Sequence, residues 1–351
     1  MRIAWFGSSL VSAYWNGAAT YYRGLVRALY ERGHRVTFFE PDAYGRQENR
    51  DIADPVWADV VIYRPEAWEE ALECARGADV VVKASGVGVN DAELEAGVLA
   101  LDAPVALFWD VDAPATLARL EADPAEPLRD LVGRYDAVLT YGGGRPVVER
   151  YCALGARECV PVYNALDPLT HHPVPPDARF EADLAFLGNR LPDREERVDR
   201  FFLQAARLAP QRRFLLGGSG WDANALPPNV SYVGHVSTND HNALNSTPLA
   251  VLNVLRESMA ANGWSPATRV FEAAGAAACV VTDAWDGIEE FLEPGEEVLV
   301  ADAGDDVAAH VEALTAERAR QIGARARERV LAEHTYERRA AQVEELLGVR
   351  V

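Results

Sequence analysis

Basic residues are scarce in this chain. Its 34 Lys and Arg stand against 54 Asp and Glu, for a formal net charge of −20 over 351 residues. This balance excludes a nucleic-acid backbone or an anionic membrane surface as partner, since both need a basic footprint. A phosphorylated small ligand stays open, because a few arginines in one cleft suffice to hold it. Cysteine is also sparse. Cys74, Cys152, Cys159 and Cys279 include no Cys-x-x-Cys pair, and each sits in an apolar segment. Reduced, buried thiols in a cytoplasmic protein are expected. No apolar run approaches a membrane span. Met1 to Gly7 enters a strand directly, without the apolar region and cleavage site of a signal peptide. Neither the Gly-x-Gly-x-x-Gly fingerprint nor a P-loop occurs, which counts against a classical NAD enzyme and a P-loop NTPase. His171-His172 has no partner at metal-ligand spacing, so no metal is expected.

What is present is an alternating α/β pattern in a chain too long for one ordinary core. Short β-branched or aromatic runs at 2–6, 35–40, 60–63, 80–83, 105–108, 137–140 and 158–162 predict strands in the first half. Between the first two, Tyr22, Leu25, Val26 and Leu29 recur at helical spacing, and Gly33 closes that helix. A segment without periodicity follows at 164–178, holding Pro168, Pro173, Pro175 and Pro176. It reads as the domain boundary. The alternation then restarts, with strands at 184–187, 214–216, 231–233, 250–254, 279–282 and 298–300. Helices are predicted at 194–208, 267–277, 307–314, 317–333 and 336–347. Alternation of this kind implies two doubly wound parallel sheets with helices on both faces. Ligands bind such sheets at the carboxyl ends of their strands, and clefts between domains are common sites.

The richest stretch is Ser265-Pro266-Ala267-Thr268-Arg269-Val270-Phe271-Glu272 and the Ala/Gly run behind it. Arg269 and Glu272 are three apart, on one helix face. Arg suits phosphate and Glu suits sugar or ribose hydroxyls. Gly188-Asn189-Arg190 follows a strand and precedes a helix, as an anion loop or as an ordinary turn. In Gly217-Gly218-Ser219-Gly220-Trp221, Trp221 either stacks on a base or packs on its own domain. His235 and Val236 end a strand where backbone groups could meet a nucleobase edge. Arg256 is a candidate diphosphate ligand or one half of a surface ion pair. In the first half, Gly7, Ser8, Asn16 and Gly17 form a small polar loop after the first strand. Asp110 and Asp112 end another strand, as general-base candidates for an acceptor hydroxyl or as a helix cap.

Phe186-Leu187-Gly188, Leu244-Asn245-Ser246, Leu252-Asn253-Val254, Ser265-Pro266 with Arg269 and Phe271-Glu272-Ala273-Ala274, Asp286-Gly287 and Pro294-Gly295 together resemble the CgeB-like, spore-maturation-type glycosyltransferases. Val330 to Thr335, Asn16-Gly17 with Ala19-Thr20, and Trp109-Asp110 with Asp112 extend the resemblance over most of the chain. It implies a GT-B fold: two Rossmann-like domains facing across a cleft. Residues 1–165 would take the acceptor, with the helix 336–351 packed back on them, and 166–335 would take the donor. It implies metal-independent transfer of a sugar from a UDP-, dTDP- or GDP-sugar to an acceptor hydroxyl, with no cofactor. Glu272 would hold the donor ribose or sugar. Many retaining members carry a second acid where this chain has Trp264, and related sequences often have His where it has Ala18. Those two departures leave open retention or inversion, the identity of the general base, and a catalytically silent binding module; a nucleotide-sugar epimerase, which shares this fold, is the other alternative.

Overall fold

Runs such as Val80-Val81-Val82 and Val105-Ala106-Leu107-Phe108 are apolar at every position, as strands covered on both faces must be. The computed structural model describes residues 1–348. The chain divides into two units, Met1–Asn164 joined by the chain from Tyr336 on, and Ala165–Thr335.

The first unit holds β1 (Arg2–Phe6), β2 (Arg35–Pro41), β3 (Asp59–Tyr63), β4 (Val80–Ala84), β5 (Val105–Asp110), β6 (Ala137–Thr140) and β7 (Cys159–Pro161). Their order in the sheet is β3-β2-β1-β4-β5-β6-β7, with every neighbouring pair parallel. The strand order reverses between β1 and β4, which is where such sheets open a ligand crevice. Trp5 of β1 sits beside Phe38 of β2 and Val82 of β4 in register, and its ring lies 4.5 Å from that of Trp109. The helix Ala19–Glu31 buries Tyr21, Tyr22, Leu25, Val26 and Leu29. Gly33 ends it at φ +91°, where His34 N–H returns to the Leu29 carbonyl. Gly24 is needed for space: a Cβ there would stand 2.2 Å from the Tyr336 ring. The helix Tyr336–Gly348 lies against that face and buries Tyr336, Ala340, Val343 and Leu347. Glu344 ties it to Arg32 at 2.5 Å and His34 at 2.8 Å. Positions 349–351 of the expected terminal helix lie outside the described residues.

The second unit repeats the plan with β8 (Leu184–Leu187), β9 (Phe214–Gly217), β10 (Val230–Gly234), β11 (Ala250–Asn253), β12 (Val280–Asp283) and β13 (Leu299–Ala301). Their order is β10-β9-β8-β11-β12-β13, again all parallel. The switch point here falls between β8 and β11. Both halves are therefore the Rossmann-like doubly wound sheets that the alternation predicts.

Two details differ from the sequence expectation. The helix expected at 194–208 is three pieces: Pro192–Val198, a π turn at Asp199–Leu203, and Gln204–Leu208. The wider turn lets Phe201, Phe202 and Leu203 all face the core, which one regular helix face cannot do. Cys159 and Cys279 are buried, but Cys74 and Cys152 are exposed, on the solvent sides of the helices Trp68–Cys74 and Gly144–Ala153. All four thiols are free.

Candidate functional site

At the carboxyl ends of β8, β9 and β10, backbone and side chain interlock. Gly188 N–H donates to the Gly217 carbonyl at 3.0 Å, and Gly218 N–H to that of Gly234 at 2.7 Å. Gly218 adopts φ +115°, and a Cβ on it would meet the Gly188 carbonyl oxygen at 2.2 Å. Asn189 Oδ1 accepts from Ser219 N–H at 2.9 Å, and Arg190 N–H reaches the Ser219 carbonyl at 2.9 Å. The Gly188 and Arg190 amides are thus engaged within the protein. Arg190's side chain is exposed and paired with Glu195 at 2.5 Å. Trp221 is half-buried and donates to the Gly188 carbonyl at 2.8 Å, so it packs on its own unit. His235 is exposed, while Val236 beside it is buried.

The cationic feature here is one that no sequence motif marks. Arg194 follows Pro192 in the first turn of its helix, and its Nη2 reaches the Asn189 carbonyl at 3.0 Å. Its Nε is enclosed with no hydrogen-bond partner. Burial, and after it the charge of Arg269, pulls its guanidinium down to about 10. Arg256 pairs with Asp193 at 2.5 Å, after β11. The turn that carries it is pinned by Asp283, which is fully buried. Asp283 accepts from Leu255 N–H at 3.1 and 3.2 Å and from Arg197 at 2.6 Å.

Arg269 and Glu272 share the helix Thr268–Gly275, as the spacing predicts. Arg269 is half-buried, and its Nη1 is enclosed without a hydrogen-bond partner. Glu272 is 7% exposed. Burial pushes its carboxyl up, but His171, Arg269 and His241 outweigh that and hold it below the ordinary range. Burial, with Arg269 next, takes the His241 imidazole down to about 4. Neither histidine is marked by local sequence: the fold carries His171 from the Pro-rich segment to 3.7 Å from Glu272. Ser265 is buried and donates to the Gly263 carbonyl at 2.9 Å. Trp264, where the resemblance leads one to expect an acid, adopts φ +42° and donates to Glu290 at 2.7 Å.

In the first unit, Gly7 has room only for hydrogen, since a Cβ would lie 2.4 Å from the Phe38 ring. Asn16 is buried and braces the loop after β1. It accepts from Ser8 Oγ at 2.9 Å and donates to the Ser9 and Ser12 carbonyls at 2.8 and 3.1 Å. Gly17 is exposed. Asp110 is fully buried, and burial raises its carboxyl against the hydrogen bonds it accepts. Its Oδ1 accepts from Ser85 Oγ at 2.7 Å, Thr116 Oγ1 at 2.9 Å and Asp112 N–H at 3.0 Å, and its Oδ2 from Tyr151. Asp112 is half-buried, at the N-cap position of the helix Ala113–Ala122.

Residues 194–345 match the family model described as "Glycosyl transferase-like". Among curated proteins none matches the chain. Solved structures do. Sucrose-phosphate synthase from Thermosynechococcus elongatus superposes with a TM-score of 0.71 at 14% identity, covering 99% of this chain and 98% of that one. Anabaena HepE in complex with UDP and glucose gives 0.67 at 13%, covering 99% and 100%. AviGT4, a glycosyltransferase involved in avilamycin A biosynthesis, gives 0.63 at 18%, covering 99% and 96%. These likenesses fix the fold as GT-B, with two Rossmann-like α/β domains. Among the described residues no helix is long and apolar enough to cross a membrane.

Proposed function

We propose that this protein is a glycosyltransferase that moves a sugar from a nucleoside-diphosphate sugar to an acceptor hydroxyl. The observation that carries this reading is the Arg269–Glu272 pair. An enclosed guanidinium nitrogen without a partner stands one turn from a buried, ionised carboxylate, with Arg194 adding a second cation. A polar group that is buried and unpaired in the empty protein is one that a ligand can pair. Arg269 and Arg194 bind the diphosphate and offset the charge that grows on it as the glycosidic bond breaks. Fixed charges of this kind often supply the largest catalytic term, and no metal is required for it. Glu272 accepts hydrogen bonds from ribose or sugar hydroxyls. The Gly188 and Gly218 turns keep side chains away from the strand ends where the nucleotide lies. UDP is the first nucleotide to test, since HepE is complexed with it.

The first unit takes the acceptor, at its own switch point beside Gly7, Ser8, Asn16 and Gly17. Asp110 braces the strand end, because four donors already occupy its carboxylate. Asp112, nearer solvent, is the better general base. The finer kinship is with the CgeB-like enzymes, on the motifs quoted for them. Four free thiols suit a reducing, cytoplasmic setting.

Thermal unfolding with UDP, GDP, dTDP, ADP, their sugars and NAD tests the reading. A ligand at a hundredfold its Kd adds about 2.7 kcal/mol of stability. A shift with one nucleoside diphosphate supports the donor site. No shift with any of them refutes it and favours a silent module, and donor turnover without an acceptor marks an epimerase.

A further inference from the structure

We propose that His171, His241 and Glu272 form a site for a divalent transition metal of the Zn2+ class, and that metal and nucleotide exclude each other there. The exclusion rests on the donor-site reading above; the metal site does not. One nitrogen from each imidazole and one carboxylate oxygen all lie within 4.8 Å of one another. His171 Nε2 and Glu272 Oε1 are 3.7 Å apart. Tetrahedral zinc with N and O ligands sets neighbouring donors about 3.3 Å apart, so small side-chain rotations close the shell. Two imidazoles and a carboxylate with a fourth position open form a familiar zinc donor set, one that a hard ion such as Mg2+ does not favour.

Two surrounding features fit a bound ion. His171 Nδ1 faces Thr170 Oγ1 at 2.9 Å, which orients the ring with Nε2 toward Glu272, as outer partners of metal-bound histidines do. Asn245, one turn beyond His241 on the same helix face, is 1% exposed, and neither its amide nitrogen nor its oxygen has a hydrogen-bond partner. Water in the ion's open position offers such an amide a partner. Arg269 opposes a dication here, which restricts the site to ions with a strong preference for imidazole. A metal held by Glu272 withdraws that carboxylate from the ribose. Zinc therefore acts as an inhibitor and takes no part in transfer.

The test is titration of the metal-stripped full chain with Co2+, followed by absorption, and with Zn2+ and Mg2+, followed by calorimetry. The expected result is one Co2+ per chain with a tetrahedral ligand-field band, displaced by Zn2+, and no Mg2+ binding. His171→Asn and His241→Gln each weaken Zn2+ at least ~10-fold, while His172→Ala leaves it unchanged. Absence of binding, or an octahedral surface-type Co2+ spectrum in the unaltered chain, overturns the site whatever the variants do. Binding that survives both substitutions in chains that still unfold cooperatively overturns it as well. Saturating UDP should weaken Zn2+ binding. If Zn2+ binds through these residues and UDP leaves it unchanged, the exclusion is overturned and the metal site stands. If UDP binds and no metal does, the metal site fails and the donor reading stands.

Discussion

Glu95 should weaken this protein at neutral pH and not in mild acid. It sits in the helix Asp91–Leu99 at 1% exposure, with Oε2 lacking a hydrogen-bond partner and Oε1 3.8 Å from Arg119. The nearby Lys83, the only lysine in the chain, is fully buried. Its ammonium is committed to Asp91 at 2.7 Å and to the Ala84 carbonyl at 2.6 Å. Burial therefore wins over the attraction of Lys83 and Arg119, and pushes the Glu95 carboxyl from 4.5 up to about 7. Between those two values the folded chain holds a proton that the unfolded chain has released, so stability falls as pH rises. The whole shift corresponds to roughly 3 kcal/mol, of which about 2 develops between pH 5.5 and 8. Glu95→Gln keeps the shape and removes the charge. Urea unfolding of the two proteins should show the variant gaining about 2 kcal/mol on the parent between pH 5.5 and pH 8, with unchanged m-value. A variant that loses stability at pH 8 relative to pH 5.5 would mean that Glu95 is a stabilising ion-pair partner of Lys83 and Arg119, and the reasoning would fail.

Other substitutions separate scaffold from site. Arg194→Met should weaken nucleoside-diphosphate binding ~10- to 100-fold by calorimetry, the worth of one charge-assisted hydrogen bond, with little change in unfolding temperature. Gly218→Ala should lower the unfolding midpoint markedly, because the methyl meets the Gly188 carbonyl and φ is +115°. Asp110→Asn should cost about 1–3 kcal/mol in urea unfolding, since the amide puts a donor among four donors. Asp112→Asn should cut transfer ~100-fold or more and leave nucleotide affinity intact.

The central strands, such as Val80–Ala84, were legible because parallel strands buried on both faces are unbroken apolar runs. The half-exposed strands Asp59–Tyr63 and Val230–Gly234 showed through their β-branched and aromatic residues, and all thirteen appear within two residues of their expected ends. The Arg269–Glu272 face was legible for a similar reason: helical spacing puts i and i+3 together whatever the fold. Arg194 looked like one more arginine in a charged helix, and only the sheet's switch point gives it meaning. His171 sat in a proline-rich segment with no local partner, and tertiary folding alone brings it to Glu272. Asp110 shows the opposite limit of the sequence. A carboxylate at a strand's carboxyl end reads as catalytic until its four donors, drawn from Ser85, Asp112, Thr116 and Tyr151, are seen.

The central claim is that Arg269 and Glu272 hold a nucleoside diphosphate, and calorimetric titration of the full chain with UDP tests it most directly. The account predicts one site per chain, weakened ~10-fold or more by Arg269→Ala and again by Glu272→Gln, with both variants still folded. UDP binding that is unchanged in both variants would contradict it.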